Sequence, residues 1–191
     1  MTKLKFLCAT LYTLLAVGAN PLAAQTLDVE ALRNLRAGDM RLVTIHSEPK
    51  PMSSETFLDG DGAQIDISAY AGKTILLNFW ATWCAPCRAE MPSLDALNQK
   101  LGGENFAVIT IATGRNPTPM IAQFFTDIGI TSLPMVRDPS MAFARDSAVF
   151  GLPVTLVVNP SGQEIARVQG EADWNNPDAF ALLNAMIEGN M

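Results

Sequence analysis

The chain has 191 residues, of which 49% are hydrophobic and 17% charged, with three cysteines, one histidine and a formal charge of −6. That length suits one domain with a proper core plus a leader. The acidic balance argues against nucleic acid or an anionic membrane surface as a ligand.

Residues 1–24 read as an export signal: Lys3 and Lys5 supply a positive start, Phe6 to Ala19 a mildly apolar run, and Asn20 to Ala24 a break followed by small residues. The apolar run is about fourteen residues, shorter than the ~20 a spanning helix needs, so cleavage is favoured over a permanent anchor. Cys8 would leave with the leader. So would Lys3 and Lys5, with no acid, which moves the formal charge from −6 to −8. An exported chain whose two remaining thiols form a CxxC pair belongs where disulfides are made and broken, which points to the periplasm.

Residues 25–52 read as an N-terminal helix, over about 27–37 with Gly38 as its stop, followed by an extended linker carrying Pro49 and Pro51. His46 lies in that linker and reads as a surface residue. Residues 53–191 read as one compact domain. Phe57-Leu58 and Gln64 to Ile67 flank a turn at Asp59 to Gly62, the pattern of a β-hairpin. Thr74 to Trp80 reads as a buried strand, Ala85 to Lys100 as a helix, and Phe106 to Ile111 as a second buried strand. Thr118-Pro119 reads as a cap and first turn of a helix ending before Gly129. Leu133 to Val136 reads as a short strand and Ser140 to Phe150 as a helical turn or two. Val154 to Val158 and Glu164 to Val168 read as strands, and Asn176-Pro177 caps a last helix to about Glu188. This order is that of an α/β sandwich with a central mixed sheet flanked by helices.

The chemistry concentrates in Trp83-Cys84-Ala85-Pro86-Cys87, where the buried run Thr74 to Trp80 gives way to a helix. The orphan N–H groups and positive dipole end of that helix point at the first sulfur. Bringing a thiol from pKa ~8.5 to ~7 needs about 2 kcal/mol of thiolate stabilisation, and a partly buried helix N-terminus can supply up to about 2 kcal/mol. Cys84 is therefore the candidate nucleophile, and Cys87, one turn in, the candidate resolving thiol. Pro86 suits the first turn; Pro92 costs a backbone bond further in. A zinc site normally adds a second pair of Cys or His ligands to a CxxC, and here the chain offers only Cys8, which leaves with the leader, and His46, far in sequence from the thiols, so no metal or other cofactor is expected.

The string Asn78 to Pro92, together with Gly151-Leu152-Pro153-Val154-Thr155, resembles the thioredoxin superfamily and in particular its exported TlpA/ResA/CcmG (DsbE) branch of thiol:disulfide oxidoreductases; the likeness covers roughly residues 53–190. The resemblance implies a thioredoxin-like fold with an N-terminal β-hairpin and a central strand-helix insertion between Ile111 and Phe150. It implies a redox disulfide between Cys84 and Cys87, and a cis-proline at Pro153. Leu152, Pro153, Val154 and Trp83 would then border a substrate groove, with Leu152 offering free backbone groups to an extended client. Where thioredoxin carries a buried aspartate this chain has Asn78, and Glu90 stands where the ResA-type branch keeps an acid. Glu90, three residues after Cys87 and on the same helical face, would tune the thiol pKa or assist proton transfer; a solvated surface role is the plain alternative.

By the same likeness the chain is a protein-disulfide reductase whose clients carry disulfides, such as apocytochrome c or copper-site proteins of cytochrome oxidase assembly, and it is recharged by a membrane dithiol donor. The alternative from another class is a Cu(I) metallochaperone holding the ion through the CxxC thiolates, which suit a soft ion. The nine methionines do not form a cluster and read as core filling.

Overall fold

The structure, a computed structural model, describes residues 28–189. The leader expected at 1–24, with Cys8, lies outside the described residues. The elements in chain order are α1 (Val29–Asn34), a 3-10 turn (Gly38–Leu42), β1 (Thr44–Pro51), β2 (Phe57–Leu58), β3 (Gln64–Ile65), a 3-10 turn (Ile67–Tyr70), β4 (Thr74–Trp80) and α2 (Ala85–Leu101). They continue with β5 (Phe106–Thr113), α3 (Thr118–Ile128), β6 (Val136–Asp138), α4 (Ala142–Asp146), β7 (Val154–Val158), β8 (Gln163–Gln169) and α5 (Pro177–Glu188).

All eight strands form one mixed sheet in the order β1-β8-β7-β4-β5-β6-β2-β3. β4 runs parallel to β5 and antiparallel to β7, and it is buried along its whole length. That explains its near-continuous apolar run, since a central strand is covered on both faces. Strand alternation sends Leu76 and Trp80 towards a core shared with α2, α3 and α5, and Ile75, Leu77 and Phe79 towards one shared with Phe57 and Phe143. Each large side chain fully buried in this way contributes roughly 1.5–3 kcal/mol.

α2 continues through Pro92, which removes the N–H that would bond one turn back. Side-chain bonds brace the helix around that point: the Ser93 hydroxyl donates to the Glu90 carbonyl at 2.7 Å and accepts from the Trp174 N–H at 3.1 Å. Further along, the Asn98 amide bridges the Val108 N–H and the Ser132 carbonyl.

The hairpin, the central strands and the closing helix fall where the sequence reading puts them. The stretch expected to be a linker does not. Thr44–Pro51 is an edge strand paired antiparallel with β8, so the sheet extends in front of residue 53. Its prolines and polar residues suit an edge, where one side of the backbone owes no ladder bond. Gly38 does not stop a helix but opens a 3-10 turn, α1 ends at Asn34, and β6 starts only at Val136. Thr118 is the first residue of α3 rather than its cap, a place Pro117 takes without a side-chain bond; the far end closes on Gly129 at φ +72, a left-handed conformation that a Cβ disfavours.

Candidate active site

Cys84 and Cys87 are joined in a disulfide. Cys84 is itself the N-cap of α2, in extended conformation, and its sulfur accepts the Cys87 N–H at 3.3 Å. The electrostatic setting expected for a reactive thiol is thus built by the backbone: the sulfur sits where orphan N–H groups converge. Cys87 is fully buried, while Cys84 keeps slight exposure. Pro86 occupies the first turn between them.

The chain reaching Cys84 is held by a residue far along the sequence. The Asn116 Oδ1, in the loop between β5 and α3, accepts from the Thr82 N–H at 2.8 Å and from the Thr82 hydroxyl at 2.9 Å. Asn116 in turn donates to the Thr113 carbonyl. Nothing in the local pattern around Asn116 marks it out, because its partner lies 34 residues away. Trp80 stacks with Phe125 and packs at a tilt against Phe124 of α3, and the Arg88 guanidinium lies 4.9 Å from the Phe124 ring centre, so α2 and α3 are locked beside the motif.

The Leu152–Pro153 peptide is cis. Val154 is the register partner of Phe79 and Thr155 that of Asn78, which brings Pro153 and the motif to the same end of the central strands. Leu152, Pro153 and Val154 line a depression of about 300 Å³ together with Phe150, Ala148 and Gln169. Among the described residues the Leu152 backbone makes no hydrogen bond. Trp83 stands outside that depression, 69% exposed, and Phe150 is 87% exposed on its rim. Sequence reasoning missed Phe150; a large aromatic immediately before Gly151-Leu152-Pro153 was the available signal.

Beneath the motif, Glu90 is only 4% exposed. The Asn78 Nδ2 donates to its Oε1 at 2.7 Å and to the Thr155 Oγ1 at 2.9 Å, and the Ala172 N–H donates to Oε2 at 3.3 Å. The solvated alternative for Glu90 is therefore excluded by its burial. Burial pushes its carboxyl up to about 7, against hydrogen bonds from Asn78 and the Ala172 N–H that pull it down. With no cation beside it, desolvation wins. The network links the helix bearing Cys87 to β7, the strand that follows Pro153. Thr155, whose role the sequence did not reveal, completes it.

His46 is not a surface residue. Its Nε2 lies 2.6 Å from the Glu164 Oε1, both side chains being buried at the β1–β8 edge, and Arg167 pairs with both Glu164 oxygens.

A disulfide at the N-terminus of the helix after the central strand of such a sheet, with a cis-proline at the same end, is the arrangement of the thiol:disulfide oxidoreductases of thioredoxin fold. The comparisons agree: the Redoxin family profile matches residues 40–183, and the chain belongs to that family. It is 32% identical to the thiol:disulfide interchange protein HelX of Rhodobacter capsulatus over 81% of this chain and 80% of that one. It is 29% identical to the thiol-disulfide oxidoreductase ResA of Bacillus subtilis, over 59% of this chain and 62% of that one. Among solved structures, a DsbF homologue from Corynebacterium diphtheriae shares the fold with a TM-score of 0.63 at 24% identity, over 78% of this chain and 93% of that one. A secreted thiol-disulfide isomerase from Corynebacterium glutamicum does so with a TM-score of 0.63 at 21% identity, over 80% and 94%. The protein is a thiol:disulfide oxidoreductase of the TlpA/ResA/CcmG-like group, with protein-disulfide reductase activity.

Proposed function

We propose that the protein is an exported reductant of client disulfides, with residues 1–24 serving as leader and the remainder working in the periplasm. The reduced Cys84 thiolate attacks one sulfur of a client disulfide; a new S–S bond forms and the client's other sulfur leaves as a thiolate. Cys87, deprotonated, then attacks Cys84 and expels the client fully reduced, leaving the Cys84–Cys87 disulfide. Two electrons pass to the client, and a membrane dithiol donor returns them. The observation that carries this reading is the Cys84 sulfur at the α2 N-cap, accepting a helix N–H, with Cys87 wholly shielded behind it.

A buried Cys87 needs somewhere to send its proton, and Glu90, one turn further along α2, is the group for it. A carboxyl near 7 can both take and release a proton at ambient pH. The Asn78 amide serves both states: its Nδ2 faces the carboxylate, and its Oδ1, buried without a partner, becomes the acceptor for protonated Glu90 once the amide turns over. Leu152, Pro153 and Val154 seat an extended client through the free Leu152 backbone, with Trp83 bordering the groove. Apocytochrome c cysteines and copper-site cysteines of cytochrome oxidase assembly are the proposed clients.

A Cys87→Ser variant cannot resolve the mixed disulfide, so it should accumulate clients covalently on Cys84, identifiable by mass spectrometry. A variant that traps nothing while Cys84 remains alkylatable would refute the cycle.

A further inference from the structure

A cavity of about 620 Å³ lies between β1, β8 and the turn after α4, and is lined by His46, Lys50, Ser147, Glu164, Arg167 and Gln169 among others. It shares Ala148 and Gln169 with the depression at Pro153, so the two are continuous along one face.

This end of the sheet is shaped irregularly on both strands. The β1–β8 register passes from Ile45–Ala166 directly to Lys50–Glu164, so residues 46–49 bulge opposite a single residue of β8. β8 is itself irregular against β7 at the same place. Paired bulges of this kind re-aim side chains. Ala148 adds a left-handed conformation at φ 55, disfavoured for a residue with a Cβ.

The polar atoms of the cavity fall into two sets. Glu164 is fully engaged, by His46 at 2.6 Å and by Arg167 through Nε and Nη2 at 2.6 Å each. The groups left over are mostly donors. The Ser147 hydroxyl has no partner in a residue only 7% exposed, Lys50 makes no ion pair among the described residues, and the Arg167 Nη1 is uncommitted. Asp146 is the one acid left free, and it lies exposed at the rim. On a chain of formal charge −6, a concave lining in which Lys50 and Arg167 balance Glu164 and Asp146, and whose uncommitted inner groups are the Lys50 ammonium, the Arg167 Nη1 and the Ser147 hydroxyl, differs from the surface at large. A carboxylate complements these groups, as acceptor for the Lys50 ammonium, the Arg167 Nη1 and the Ser147 hydroxyl.

We propose that this cavity is a client-anchoring subsite that receives an acidic side chain flanking the disulfide seated at Pro153, the inference resting on the reductase reading above. The occupant is a residue of the client itself, because the cavity continues the groove in which the client lies. Electrostatic complementarity at such a place selects partners and speeds their encounter more than it adds affinity.

The test uses the reduced full-length protein and three disulfide peptides of one length whose flanking residues are Asp, Asn or Lys, with hydroxyethyl disulfide as a small uncharged substrate. The expected result is reduction of the Asp peptide about fivefold faster than the Lys peptide, the size of one partly exposed ion pair. Lys50→Glu should abolish or reverse that preference and leave hydroxyethyl disulfide unaffected. Lys73→Glu, the same charge change at the far end of β4, should keep the preference. Equal rates for the Asp and Lys peptides, an unchanged preference in Lys50→Glu, or an equal loss in Lys73→Glu would overturn the subsite while leaving the reductase reading intact. Failure to reduce hydroxyethyl disulfide at all would overturn the reductase reading, and the subsite with it.

Discussion

Two glutamates are buried to almost the same degree, Glu90 at 4% and Glu164 at 3% exposure, and their carboxyls move in opposite directions. Glu90 is raised to about 7 because burial is answered only by neutral donors. Burial also raises Glu164, but the Arg167 and His46 partners overcome it and leave the carboxyl below its usual value. The pair shows that burial alone does not set a buried acid's charge; its neighbours do. A proton carrier has to sit near ambient pH, and a fixed anion has to stay well below it. The first belongs beneath the disulfide and the second at a structural edge.

The contrast can be broken most severely at the edge. Arg167→Met strips the compensating guanidinium from a buried carboxylate and should cost about 3–5 kcal/mol at neutral pH, read from denaturant unfolding. Adding Glu164→Gln should recover much of that loss, since the uncompensated charge is gone. A single variant no less stable than wild type would show that His46 suffices as the partner.

Next in size is the pH dependence of the oxidised protein. The Glu90 carboxyl binds its proton more tightly when folded (about 7) than at the ordinary glutamate value of 4.5. Stability from this group should therefore be greatest below 4.5, fall as pH rises from 4.5 to 7, and settle about 3 kcal/mol lower above that window. Glu90→Gln should flatten this slope and shift the pH dependence of thiol alkylation, while an unchanged titration curve would remove Glu90 from the chemistry. Glu164 works with the reverse sign: its lowered value contributes stability above 4.5 that is lost as pH falls below it. Acid titration of Glu164→Gln should show that loss missing.

The smallest effect lies at the outer end of the Glu90 network. Thr155→Val removes the acceptor for the Asn78 Nδ2 at 2.9 Å and should destabilise by about 1 kcal/mol. It should also change the rate of mixed-disulfide resolution, which a purely structural loss at β7 would leave alone.

The two glutamates differ in another way: one is readable in advance and the other is not. Glu90 stands in a string with Cys84, Cys87 and Pro92, and helical spacing places it on the Cys87 face. Its carboxyl was therefore a candidate before any fold was known, and only its burial had to come from the structure. Glu164 reads as an ordinary polar position in a return strand, and His46 as part of a proline-bearing linker. Their contact crosses 118 residues, and no local pattern encodes a strand pairing of that span. Thr44–Pro51 is too polar and too proline-rich to announce itself as a strand, because an edge strand needs neither an apolar face on both sides nor every N–H.

What the amino-acid order determined by itself is local: which runs are helix or strand, and that a thiol pair opens a helix after a buried strand. Periodicity, caps and turn residues act between near neighbours, so they survive in one dimension. What the tertiary structure alone decided is whose charge is answered by whom. Asn78 and Ala172 meet at Glu90, Asn116 holds the approach to Cys84, and His46 and Arg167 meet at Glu164. Desolvation and partner distance exist only once the chain has closed upon itself, and they set the protonation on which this chemistry runs.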